Sequence, residues 1–170
     1  EIHERLVGSE MCIRDRDWTT LAKSAKFAFI RVGYRGYTDG ALHADKMAKE
    51  NLKAARKAGV PVGVYFFSQA TTEEEAQEEA RFVLEAVRFA KVELPLIIDY
   101  EYGYNAAGEH AGRLYDANVS KKDTTRLLTD TCGAVTSGSK TAWVGIRRTG
   151  ARPIRLSQQS ASTWGRWLRA

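Results

Sequence analysis

Two carboxylates stand two residues apart in KVELPLIIDYEYGYN, residues 91–105: Asp99 and Glu101, with Tyr100 and Tyr102 on either side of the second. They follow directly on LPLII (94–98), an apolar run of the kind that strands buried on both faces carry. Side chains alternate along a strand, so residues i and i+2 face the same way with roots roughly 6–7 Å apart. Like charges that close push their pKa values apart, and one carboxyl can then hold a proton while the other stays ionised. An acid beside an anionic stabiliser is the chemistry of glycoside cleavage. Two plainer readings stay open. The acids could merely end the strand, with Asp99 capping a turn, or they could bind a divalent cation. Metal sites recruit further ligands, however, and His43 and His110 stand in contexts without ligand spacing.

The elements that would position this pair form a regular series from Asp17 to about Val135. DWTTLAKSA predicts a short helix, and FAFIRV (27–32) a strand followed by the glycine-rich turn GYRGYTDGA. From Ala44 to Ala58, the steps Ala44, Ala48, Leu52 and Ala55 predict a helix, with Gly59 placed to cap its end. VPVGVYFF (60–67) reads as the second strand, with Pro61 at its start. In TTEEEAQEEARFVLEAVRFA, Thr72 and Glu75 have capping-box spacing, and Ala76, Ala80, Val83, Leu84 and Val87 form an apolar stripe. A last helix is expected over Thr124 to Val135, with Leu128, Cys132 and Val135 in register. Continuously apolar strands alternating with amphipathic helices imply an α/β fold with a parallel sheet. In such a sheet, catalytic groups collect at the C-terminal ends of the strands, where Asp99 and Glu101 fall.

Composition narrows the classes. At 170 residues and 44% hydrophobic, the chain suits one domain with a real core. The 26 basic and 21 acidic residues give +5, but no Asp or Glu occurs from Thr131 to Ala170, so the rest is close to balanced. No groove-reading or aromatic nucleic-acid motif accompanies that basic stretch, which argues against a nucleic-acid partner. No apolar stretch approaches the roughly 20 residues that span a bilayer, so no membrane partner is expected. No signal-peptide pattern is present. Cys12 and Cys132 have no metal or disulfide pattern.

Three blocks, RVGYRGY, GVPVGVYFFSQA and the D-x-E that ends the next strand, resemble the family 25 glycoside hydrolases, the lysozymes or N-acetylmuramidases of bacteria and phages. Their order and spacing match over about residues 17–102, and more weakly to about 136. The resemblance implies a barrel-like α/β fold, here partial, with its active site at the strand C-termini. It implies cleavage of the β-1,4 bond between N-acetylmuramic acid and N-acetylglucosamine, with a peptidoglycan glycan strand as partner and an extracellular or wall-facing site of action. It suggests no cofactor. Glu101 matches the family's proton donor, acting as acid and then base. Asp99 matches the partner that stabilises a charged intermediate formed with the substrate's own N-acetyl group. Tyr65 and Phe67 match aromatics lining the sugar cleft, Tyr34 and Arg35 lie on a loop at the same rim, and Tyr102 flanks the acid. For Tyr65 and Phe67 a plain core role is the competing reading; for Arg35 it is a solvated loop charge.

The two ends depart from the pattern. The family opens with a strand bearing an Asp, and that position falls near Gly8, inside VGSEMCIRDR. Residues 1–16 therefore read as a non-native leader in which the first strand and its Asp are replaced, and 17–137 as a partial catalytic domain. Residues 138–170 show neither helix nor strand period and read as an irregular basic tail or the translation of a shifted reading frame. The chain is accordingly expected to fold poorly and to be weak or inactive. The competing classes are a non-catalytic carbohydrate-binding or vestigial fragment and, more distantly, a chitinase-like hydrolase, whose signature carries more Asp residues than IIDYEY.

Overall fold

The computed structural model describes residues 6–7, 17–88, 90–138, 144–148 and 154–156. In chain order the elements are β1 (Leu6–Val7), α1 (Trp18–Leu21), β2 (Ala28–Arg35), β3 (Leu42–Ala44), α2 (Ala48–Lys57), β4 (Val62–Ser68), α3 (Glu73–Val87) and β5 (Leu96–Tyr100). There follow β6 (Gly103–Tyr104), β7 (His110–Ala111), α4 (Arg113–Asp116), α5 (Lys121–Gly138), β8 (Val144–Arg148) and β9 (Ile154–Leu156). The main sheet runs β1-β2-β4-β5-β8-β9, with β3 beside β2, and β6 and β7 form a separate hairpin. Every pairing from β1 to β8 along that order is parallel, whereas β3 and β9 run antiparallel to their neighbours. This is the α/β architecture expected of continuously apolar strands.

Alternation decides which face the helices cover. Ala28, Ile30 and Val32 of β2, Val62, Val64 and Phe66 of β4, and Leu96 and Ile98 of β5 share one core. Leu52 and Ala55 of α2, Ala80 and Val83 of α3, and Leu128, Cys132 and Val135 of α5 close over it. Each Val, Leu, Ile or Phe among them that is taken from water stabilises the fold by about 1.5–3 kcal/mol. The residues between them on the strands face the other way.

Local chemistry sets the helix ends. Asp17 caps α1, accepting from the Thr19 and Thr20 amides at 2.9 and 3.2 Å. Thr72 accepts from the Glu75 amide at 3.3 Å to start α3. The reciprocal half of the expected capping box is missing, because the Glu75 carboxylate accepts instead from the Thr71 amide (2.8 Å) and from Arg113. Helix α2 begins at Ala48 rather than Ala44, because Leu42–Ala44 are held as β3 against Arg35–Gly33. Gly59, at φ +74°, follows its last turn as anticipated.

At both ends of the series, the described residues add short strands to the sheet. Leu6 and Val7 pair in parallel with Phe29 and Ile30. Beyond Gly138, where no period was legible, Leu96–Tyr100 pair in parallel with Val144–Arg148, and β9 turns back on β8. Gly8 and the remaining leader and tail positions lie outside the described residues.

Candidate active site

A register shift between Arg31 and Gly33 interrupts the alternation of β2. Beyond it, on the sheet face turned away from the helices, Tyr34 of β2 is aligned with Phe67 of β4, and Phe67 with Asp99 of β5. Neighbouring strands lie about 4.8 Å apart, so these three side chains form one row. Tyr65, one step earlier, is aligned with Arg31 and Ile97. Asp99 and Tyr65 are each 6% exposed, while Phe67 and Tyr34 are half-buried. Asp99 thus belongs to the strand itself rather than to the turn after it. Tyr34 is also a strand residue, not a loop residue: its ring stacks on His43 at 4.8 Å, with the Arg31 guanidinium 5.3 Å from its centroid.

Glu101 lies one residue past the end of β5, so strict strand alternation no longer fixes its direction. It borders a cleft of about 140 Å³ together with Tyr100, Tyr102, His110, Leu114, Val119 and Thr124. Its backbone carbonyl accepts from the Gln69 side-chain amide, which ties the end of β5 to the end of β4.

Arg35 is placed differently from the expectation of a rim or solvated charge. It is the last residue of β2, 4% exposed, and its guanidinium is engaged by four hydrogen bonds within the fold. It donates to Glu79 and Glu78 at 2.9 Å each, to the Gly40 carbonyl at 2.7 Å and to the Glu75 carbonyl at 3.1 Å. Glu79, at 0% exposure, also accepts from the Ser68 hydroxyl (2.5 Å) and the Gln69 amide (3.4 Å). Burial pushes the Glu79 carboxyl up to about 7, against the hydrogen bonds from Ser68 and Arg35. For Glu75, burial acts upward too, but hydrogen bonds from Arg113 and Thr71 outweigh it and hold the carboxyl down at about 2. Arg113 also donates to the Gln69 carbonyl at 3.0 Å. The network therefore fixes Gln69, and through Gln69 the backbone of Glu101.

None of Gln69, Glu79 and Arg113 stood out in the sequence. One signal was present: Glu79 falls within the apolar stripe of α3, between Ala76 and Ala80, where a carboxylate needs a buried partner. Among the described residues no group of three or more His, Cys, Asp and Glu could hold a metal ion, and no helix is long and apolar enough to cross a membrane.

Residues 14–137 match the family described as glycosyl hydrolases family 25, more than half of the chain. The chain belongs to that family. No curated protein matches the sequence. Among solved structures, the modular autolysin LytC from Streptococcus pneumoniae is 17% identical, with a TM-score of 0.62 over 80% of this chain and 29% of its own. A family 25 glycosyl hydrolase from Bacillus anthracis is 24% identical, with a TM-score of 0.59 over 79% and 55% of the two chains. A muramidase from Trichobolus zukalii is 18% identical, with a TM-score of 0.55 over 76% and 58%. The pneumococcal autolysin has also been solved in complex with a synthetic peptidoglycan ligand. These likenesses support the α/β fold of the family, and this chain spans less than two thirds of each of these chains.

Proposed function

We propose that this chain carries the catalytic face of a peptidoglycan hydrolase that cleaves the β-1,4 bond between N-acetylmuramic acid and N-acetylglucosamine. The observation that carries the reading is the D-x-E of a family 25 chain standing at the C-terminal end of β5 in a parallel sheet, with Asp99 in a row with Tyr34 and Phe67. Glu101 gives its proton to the glycosidic oxygen, and the bond from that oxygen to the anomeric carbon breaks. The acetamido oxygen of the same sugar forms a bond to that carbon from the opposite face, and the positive charge so created lies against Asp99. Water then adds at the anomeric carbon, giving its proton to Glu101 and restoring both the acetamide and the acid. The row of Tyr34 and Phe67 supplies an apolar wall for the muramic acid ring. Tyr65, buried beneath that row, supports it. The site of action is the cell wall, and no cofactor takes part.

The early Asp of the family falls near Gly8 here, so turnover is expected to be slow. Loss of turbidity of purified peptidoglycan tests the assignment, run beside Glu101→Gln and Asp99→Asn. Slow clearing by the chain and none by Glu101→Gln is the expected result. Binding without clearing, identical in all three proteins, would favour the non-catalytic carbohydrate-binding reading instead.

A further inference from the structure

The large apolar side chains that stand exposed among the described residues are Tyr37 (49%), Tyr102 (36%), Tyr104 (51%) and Tyr115 (49%). They come from three separated segments, yet they gather on one surface around His110. Tyr102 packs edge-on to His110 and Tyr115, with centroids 5.0 and 5.6 Å apart. Tyr104 lies 4.8 Å from His110 on the other side, and His110 lies 6.0 Å from Tyr115. Tyr37 closes the group from the β2–β3 turn, where its carbonyl accepts from the Arg113 amide at 2.9 Å. A Cβ at Gly103 or Gly112 would come within 3.3 or 2.9 Å of the Tyr37 ring, and Gly112 sits at φ +92°, so glycine is required for this approach.

The surface is built rather than incidental. The loop between β6 and β7 is locked by Asn105, whose side-chain oxygen accepts from the Ala107 and Glu109 amides at 2.9 Å each. The platform is continuous with the candidate site, since Tyr102 and His110 border the same cleft as Glu101. Contiguous exposed aromatic surface marks a binding site. Tyrosine and histidine combine flat apolar faces with polar edges, which matches a pyranose: C–H groups on one face and hydroxyl or acetamido groups around the rim.

We propose that the Tyr102–Tyr104–His110–Tyr115 platform binds the leaving-group side of the glycan, the N-acetylglucosamine next to the scissile bond and the sugars beyond it. The side follows from the chemistry of the neighbouring acid. Glu101 must stand beside the glycosidic oxygen, which departs with the leaving sugar, and the platform adjoins Glu101. The Tyr34–Phe67–Asp99 row takes the sugar whose acetamide becomes charged. This assignment rests on the proposed role of Glu101.

The test uses the full chain carrying Glu101→Gln, titrated with the tetramer of N-acetylglucosamine and followed by calorimetry and by NMR shifts of the tyrosine rings. Tyr104→Ala and Tyr115→Ala, added singly to that background, are each expected to weaken binding about tenfold, as loss of one aromatic contact does. Tyr104→Phe and Tyr115→Phe, which keep the ring, should retain most of the affinity. Unchanged affinity in both alanine variants, or no binding of the tetramer at all, overturns the platform. An alanine variant that fails to fold leaves the ring shifts of the parent to decide: tetramer binding that moves no Tyr104 or Tyr115 resonance also overturns it. Clearing of peptidoglycan, measured separately, tells failure of the platform from failure of the catalytic reading. A chain that binds the tetramer through these rings but does not clear the wall keeps the platform and loses the mechanism.

Discussion

At the scale of single residues, Asp99 and Glu101 owe their difference to one position in the chain. Asp99 is inside β5 and 6% exposed, whereas Glu101 is past the strand end and borders a cleft. The buried group suits a fixed stabilising charge, and the accessible one suits proton exchange with substrate and water. Glu101→Gln should lower turnover by at least about 100-fold with unchanged melting temperature, as removal of a general acid does. Activity within a few-fold of the parent would remove Glu101 from the mechanism. Glu79 is the residue on which the surrounding order depends. Glu79→Ala leaves the Arg35 guanidinium buried without one of its carboxylates and is expected to destabilise the domain by about 3–5 kcal/mol. Denaturant unfolding reads that loss directly, and a change below about 1 kcal/mol would show that Arg35 is satisfied by Glu78 and the Gly40 and Glu75 carbonyls alone.

At the scale of elements, α3 joins the helix layer to the strand ends through two glutamates with opposite pH behaviour. Glu75 has a folded pKa of about 2 against an ordinary 4.5, so its contribution is present above pH 4.5 and is lost as pH falls through 2. Glu79 has a folded pKa of about 7, so the folded state holds a proton that the unfolded chain releases from 4.5 upward. Its contribution is present below 4.5 and lost as pH rises through 7. Thermal stability should therefore peak near pH 4.5–5 and fall on both sides, and Glu79→Gln should flatten the neutral-side slope. A parent profile that rises steadily to pH 8 would contradict this. The helices and the three central strands were legible because each carries its own period: Ala76, Ala80 and Val83 on α3, and the apolar runs of β2, β4 and β5. The extension of β2 to Arg35 was not. It depends on β3 pairing across a glycine-rich turn, a contact between segments that no local pattern records. The same holds for Glu79 and Arg113, whose positions are explained only by partners 44 and 38 residues away in sequence.

At the scale of the whole molecule, the described sheet is an open path with a two-residue strand at one edge and a three-residue strand at the other. Strands this short fall below the usual length of about five or six residues and add few ladder hydrogen bonds to their neighbours. Melting followed by circular dichroism is expected to be broad, and a sharp cooperative transition would contradict that. The D-x-E and its place at a strand end were readable from the sequence, whereas the aromatic platform was not. Tyr37, Tyr102, Tyr104, His110 and Tyr115 have no common spacing, and only the fold of the hairpin and α4 brings them together. The proposed reaction cuts the glycan on the reducing side of muramic acid. The most direct measurement is mass spectrometry of borohydride-reduced products from purified peptidoglycan incubated with the chain and with Glu101→Gln. Reduced N-acetylmuramic acid is expected at the new ends with the chain, and none with the variant. New ends carrying reduced N-acetylglucosamine, or equal products from both proteins, would contradict it.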